Sequence, residues 1–282
     1  MDLAIPASLE AFPRHRDKTE AACRAAFDNP DVVGMAVAGS FADGNADLLS
    51  DVDLRLYVPP EAIERTVGWI PALAARCGRV VALFTGEHVG NPTLTIALYD
   101  DLVHVDFDVL SSAGVGEHNQ GLPVFVLWER DGISGELPGS YQVDVAEDLR
   151  WLEARVWTWS WYIQTKVMRG ELYEALDGLQ YIRDQVLFRL IAFERGARPA
   201  GGRRVDAVLG DRSSAFATTL PAGLDADAVL DALKAEVVLY VELTDRLFRR
   251  YDVTPNLEAR AVAGRALELG LSWRPSTGFD GP

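Results

Sequence analysis

The feature that most constrains this chain is a switch in hydrophobic period between its two halves. Up to about residue 132, apolar residues come in short runs rich in Val, Leu, Ile and aromatics, separated by turn residues. These runs predict strands over Val32–Ala38, Val52–Val58, Val80–Thr85, Thr93–Tyr99, Leu102–Leu110 and Val124–Trp128, with helices over about Lys18–Phe27 and Glu61–Arg76. Asp100 and Asp101 stand between two alternating runs, as in a hairpin turn, so part of the sheet is expected to be antiparallel. Gly132 to Ser140 is rich in Gly, Pro and Ser and reads as a linker. From about Asp144 onward the period is helical. Leu172, Leu176, Leu179, Val186, Leu190 and Phe193 form one apolar stripe. Leu230, Leu233, Val237, Tyr240, Val241 and Leu247 form another after a start near Asp225, and Pro255 opens a last helix ending near Leu269-Gly270. The expected fold class is α+β: a mixed sheet with flanking helices over residues 1–135, then an all-α helical bundle over residues 144–282.

One segment carries chemistry. Gly39-Ser40 follows the apolar strand Val32–Ala38, and a residue without a Cβ there lets backbone N–H groups and a hydroxyl approach phosphate oxygens. Ten residues further on, Asp51-Val52-Asp53 opens the next strand. Side chains alternate along a strand, so Asp51, Asp53, Arg55 and Tyr57 share one face while Val52, Leu54, Leu56 and Val58 share the other. The run from His104 to Val109 splits the same way, with His104, Asp106 and Asp108 together. Two such strands in one sheet cluster Asp51, Asp53, Asp106 and Asp108, whose mutual repulsion a hard divalent cation with oxygen ligands relieves.

This order (Gly-Ser, spacer, Asp-x-Asp, and a third carboxylate on a later strand) resembles the signature of the polymerase-β-like nucleotidyltransferase superfamily, at Gly39, Ser40, Asp51, Asp53 and Asp106. More narrowly, the chain is similar to bacterial aminoglycoside and lincosamide nucleotidyltransferases. Val126-Leu-Trp-Glu-Arg-Asp-Gly132 resembles the strand and turn that closes their catalytic domain, and the stretch from Lys166 to Arg183 resembles a helix–turn–helix of their second domain. The resemblance covers about residues 15–195, with one departure: those relatives often carry Arg where Asp43 precedes Gly44.

The resemblance implies a catalytic domain over residues 1–135 and a helical domain over residues 144–282 that forms the other wall of the substrate cleft. It implies transfer of a nucleoside monophosphate, AMP above all, from ATP or another NTP to a hydroxyl of a small acceptor, with release of pyrophosphate. In that scheme Asp51 and Asp53 hold two magnesium ions, and Asp106 ligates the one nearer the acceptor hydroxyl. Asp108 is the candidate general base or the contact for a cationic acceptor, with His104 in reserve, and Gly39, Ser40, Ser50 and Lys166 are the candidate nucleotide contacts. The acceptor it implies is an aminoglycoside- or lincosamide-like antibiotic, and the role antibiotic resistance.

Composition narrows the partners. The net charge of −15 leaves no overall basic footprint for nucleic acid and suits a cationic small molecule. The N-terminus has no basic start followed by an apolar run, and no stretch approaches the roughly 20 apolar residues that span a bilayer. Cys23 and Cys77 lack metal spacing; sequence alone allows a disulfide between them, but in an intracellular protein they read as reduced, buried thiols, and the cytoplasm is the compartment expected by elimination. The oligomeric state stays open, a homodimer included. Trp151, Trp157, Trp159 and Trp161 crowd one helix. Trp157 and Trp161, four apart, suit either core packing or the aromatic wall of an acceptor pocket. His88 and His118 fall in loops and are expected to be exposed. The alternative function is a non-catalytic, antitoxin-like binding partner that keeps the same fold; a third is an enzyme acting on a macromolecule such as tRNA.

Overall fold

The computed structural model describes residues 2–115, 123–130 and 143–269, in two compact units, Met1–Gln142 and Val143–Pro282. The expected linker from Gly132 to Ser140 lies outside the described residues, as does His118.

The first unit is a mixed six-stranded sheet with helices packed against one face. Its helices are α1 (Ala7–Glu10), α2 (Pro13–Phe27), α3 (Gly39–Asp43) and α4 (Ile63–Arg76). Its strands are β1 (Gly34–Ala38), β2 (Val52–Val58), β3 (Val80–Gly86), β4 (Asn91–Tyr99), β5 (His104–Ser111) and β6 (Val124–Glu129), in the order β3-β4-β5-β2-β1-β6. Every expected strand is present within a few residues. Four of the neighbouring pairs are antiparallel, and only β2 and β5 run parallel. Asp100 and Asp101 do turn β4 into β5; Lys18 of α2 reaches that turn, its ammonium 2.9 Å from Asp101 and 4.2 Å from the Tyr99 ring centroid.

Alternation along the central strands puts one face in the core. Val52, Leu54, Leu56, Val58, Val105, Phe107 and Val109 are at most 1% exposed and pack with Ala22, Ala26, Ile70 and Leu73 from α2 and α4. Both cysteines lie in this core as free thiols, and burial raises Cys23 to about 12 and Cys77 to about 11. The opposite face is most polar where β2 and β5 begin. Further along, Ala36, Tyr57 and Val115 close a small apolar cluster with Val33, Leu110, Val124 and Val126, so Tyr57 is fully buried on the face that alternation alone marks as polar.

The second unit is all helical: α5 (Val145–Met168), α6 (Leu172–Ile182), α7 (Phe188–Arg195), α8 (Val205–Leu209), α9 (Ser213–Ala217), α10 (Ala226–Tyr251) and α11 (Leu257–Leu269). Two of the starts are aspartate caps: Asp144 accepts from the Glu147 N–H and Asp225 from the Ala228 N–H, each at 2.9 Å. The stripe from Leu172 to Phe193 does not belong to one uninterrupted α-helix. A π turn at Arg183–Leu187 joins α6 to α7, where Arg183 is buried and donates to the Thr219 carbonyl (2.8 Å), Gln180 (2.8 Å) and Glu236 (3.2 Å). Burial pushes the Glu236 carboxyl well above its usual range, against the pull of Arg183.

A second buried carboxylate joins three elements. Glu153 on α5 accepts from Trp157 Nε1 (3.0 Å), from the Asn256 N–H (2.7 Å) and from the Tyr240 hydroxyl of α10. Removing it orphans three donors in the interior, so Glu153→Ala is expected to lower stability by about 3 kcal/mol or more, read by urea unfolding followed through tryptophan emission. A loss below about 1 kcal/mol would mean that these donors find other partners.

Candidate metal centre on the parallel strand pair

The register of the one parallel pair builds the site. Cα of Asp53 on β2 stands opposite Asp106 on β5, and Arg55 stands opposite Asp108. Neighbouring strands lie about 4.8 Å apart, so in-register side chains on one face must meet. Asp51, two residues ahead of Asp53 and just before β2, joins them. One carboxylate oxygen from each of Asp51, Asp53 and Asp106 lies within 4.8 Å of the other two, and all three residues are half-buried. The buried Val52, Leu54, Val105 and Phe107 behind them hold both strand starts rigidly against the core.

The donor set fits a hard divalent cation. Magnesium holds oxygens about 2.0–2.1 Å away, so opposite ligands sit about 4.2 Å apart. Neighbouring ligands in that shell sit about 3 Å apart, and the three carboxylate oxygens, within 4.8 Å of one another, are near enough for one ion to draw them together. His104 Nε2 sits 2.8 Å from Asp106 Oδ1. Asp106 raises the His104 pKa above its ordinary value through that contact and its charge, and the charges of Asp51 and Asp53 add to the rise.

The loop from Gly39 to Ser50 is shaped around the triad. Gly39 has φ +62, a left-handed conformation, and a Cβ there would lie 2.2 Å from Asp53 Oδ2. The backbone thus runs directly beside a carboxylate of the cluster. Gly39 and Ser40 open the one-turn α3, and the Ser40 hydroxyl is buried with no hydrogen-bond partner among the described residues. A buried hydroxyl without a partner is costly unless a ligand supplies one. Ser50, in contrast, uses its hydroxyl locally: the Asp47 N–H donates to Ser50 Oγ at 2.9 Å.

His15 of α2 holds that loop from behind. It is 2% exposed, packs on Phe12 and Phe41, and its Nε2 donates to the Ser50 carbonyl at 3.1 Å, one residue before Asp51. Burial lowers its pKa, which keeps it the neutral donor this contact needs. Nothing in the sequence near His15 marks it, because its partner is 35 residues away.

Asp108 stands apart from the three-carboxylate group. It points to the same face as Asp106, but its Oδ1 accepts from Asn91 Nδ2 (3.1 Å) and Thr93 Oγ1 (3.4 Å) of β4. Both of these donors are neutral, and sequence reading did not find them. Lys166 belongs to the second unit, where it is 2.8 Å from Glu171 and 2.9 Å from Glu174. Of the tryptophans weighed as an acceptor wall, Trp157 is core, 6% exposed. Trp159 instead faces a cavity with Tyr162 and Tyr181. No helix of the described residues is long and apolar enough to cross a membrane.

Chemically, such a cluster can hold divalent cations beside a backbone turn and a buried hydroxyl. No protein-family model matches the chain, and no curated protein matches it. Among solved structures it is similar to a nucleotidyltransferase-like protein from Exiguobacterium sibiricum 255-15, at 12% identity over 91% of this chain and 87% of that one, TM-score 0.35. It is also similar to an aminoglycoside 6-adenyltransferase from Bacillus subtilis, at 14% identity over 92% of this chain and 99% of that one, with a TM-score of 0.44.

Proposed function

We propose that this chain is a magnesium-dependent nucleotidyltransferase that moves a nucleoside monophosphate, AMP above all, from an NTP to a hydroxyl of a small cationic acceptor in the cytoplasm. The observation that carries the reading is the convergence of Asp51, Asp53 and Asp106 beside the Gly39-Ser40 turn. Asp51 and Asp53 would hold the cations that meet the triphosphate, and Asp106 the one nearer the acceptor. When bound, magnesium neutralises the triphosphate and lowers the pKa of the acceptor hydroxyl. The Ser40 hydroxyl, buried without a partner among the described residues, would donate to a phosphate oxygen, and the Gly39 backbone would pass close to the triphosphate at the triad. An aminoglycoside- or lincosamide-like antibiotic suits the negative charge that Asp108 adds, and resistance would be the role.

Incubation of the protein with magnesium, ATP or GTP, and a panel of hydroxylated amines is expected to give an acceptor heavier by one nucleotidyl group, with stoichiometric pyrophosphate. Absence of both products across the panel would favour the non-catalytic binding partner.

Asp108 gives a finer test. An amine on the acceptor would pair with its carboxylate and be oriented by it. Asp108→Asn is expected to raise the acceptor KM about ten-fold, with the KM for NTP little changed, in steady-state kinetics with each substrate varied in turn. A fall in kcat at unchanged KM would make Asp108 a base or a metal ligand instead.

A further inference from the structure

Helices α5 and α6 border a half-open cavity of about 250 Å³ in the second unit. Three aromatic side chains, Trp159, Tyr162 and Tyr181, form its walls, and two carboxylates, Glu174 and Asp177, stand at it. Its floor is a close helix contact: a Cβ at Gly178 would lie 2.6 Å from Ile163 Cγ1, so only glycine lets α6 approach α5 this closely. The Trp159 and Tyr181 rings pack edge to face at 5.1 Å, which fixes the two walls relative to each other.

The charges are one-sided. No Lys, Arg or His lines the cavity, and Asp177 has no ion-pair partner among the described residues. Beside it, the protein already seats an ammonium on the same chemistry. Lys166 Nζ lies 2.9 Å from Glu174 and 4.9 Å from the Tyr162 ring centroid. Aromatic faces attract cations through their quadrupole, and the attraction grows when the cation is desolvated. Glu174 is paired with Lys166, and the Asp177 carboxylate repels an anion. Ring carbons cannot ligate a metal ion. The volume is smaller than the roughly 300–1,000 Å³ of drug-sized pockets. An alkylated ammonium group meets all four conditions.

We propose that this cavity is a binding site for a small organic cation, held over Trp159 and Tyr181 with its charge against Asp177. It is a site of the helical unit and does not rest on the transferase reading.

The test is calorimetric titration of the full chain, without nucleotide or magnesium, with choline and with its neutral isostere 3,3-dimethylbutan-1-ol. Choline is expected to bind saturably and about ten-fold more tightly than the alcohol. Trp159→Leu and Asp177→Asn are each expected to weaken choline about three-fold or more, while Asp53→Asn binds it as the wild type does. Trp159 also packs on Trp151, so its variant can lose structure. Asp177→Asn removes only an exposed charge and keeps the test valid. Equal binding of the two probes, no binding of choline, or an Asp177→Asn variant indistinguishable from wild type would overturn the proposal. Because the triad plays no part in this titration, failure here would leave the nucleotidyl transfer assay to be judged on its own result.

Discussion

Asp53→Asn is expected to cut nucleotidyl transfer by about 10³-fold or more while leaving the melting temperature within a degree or two of wild type. Asp53 occupies the middle of the triad: it faces Asp106 across the parallel register and lies against the Gly39 backbone. Replacing one carboxylate oxygen by an amide removes a ligand charge and leaves the packing of Val52 and Leu54 on the opposite face untouched. Removal of one of several crowded negative charges tends if anything to stabilise the folded chain. The measurement pairs product formation by mass spectrometry with thermal unfolding of the same preparation. A variant that turns over at the wild-type rate on a confirmed substrate would remove Asp53 from the metal site. A variant that is inactive and melts far lower would show that Asp53 supports the fold instead.

Gly39→Ala should damage both stability and activity, for two separable reasons. A non-glycine residue at φ +62 costs about 1–2 kcal/mol whatever surrounds it. The new methyl would also fall 2.2 Å from Asp53 Oδ2, so the carboxylate must swing away from its partners. The expected result is a loss of about 1–3 kcal/mol in stability and at least about 10²-fold in transfer rate. A double-mutant cycle separates the causes. Asp53→Ala removes the clashing atoms, so in the Gly39→Ala background it should recover part of the stability while the backbone cost remains. If it recovers none, the close approach to Asp53 is not what makes glycine necessary there.

The fold class was legible because period is a local property. The run from Val52 to Val58 alternates cleanly, and its strand has the expected bounds. Helix α2 began earlier than expected, at Pro13 rather than near Lys18, because its first turn has few apolar residues and its start signal is the proline itself. The parallel pairing of β2 with β5 was not legible, since a register between residues 53 positions apart leaves no trace in either strand. Alternation could say that Asp53 and Asp106 each sit on a polar face. Only the register makes them neighbours and leaves Asp108 beside Asn91 and Thr93. The burial of Tyr57 and Arg55 on that same face shows the limit of period-2 reading: one face can be solvated at one end of a strand and covered at the other. In the helical unit, the tryptophan pair at helical spacing pointed to Trp157, while the aromatic cavity is lined by Trp159, one side of the helix away, with partners from α6.

The single parallel pair has a consequence for the order of assembly. Asp51 and Asp53 arrive with β1 and β2, which neighbour each other in sequence and pair antiparallel; Asp106 arrives with β3, β4 and β5, a meander of its own. The contact that completes the triad is also the one that joins these two parts of the sheet, across a separation of 53 residues. A cation held by the triad would therefore act as a clasp across that seam. It gains its full set of ligands only after the halves have met, so its stabilisation belongs to the finished sheet and should slow the separation of the halves far more than it hastens their meeting.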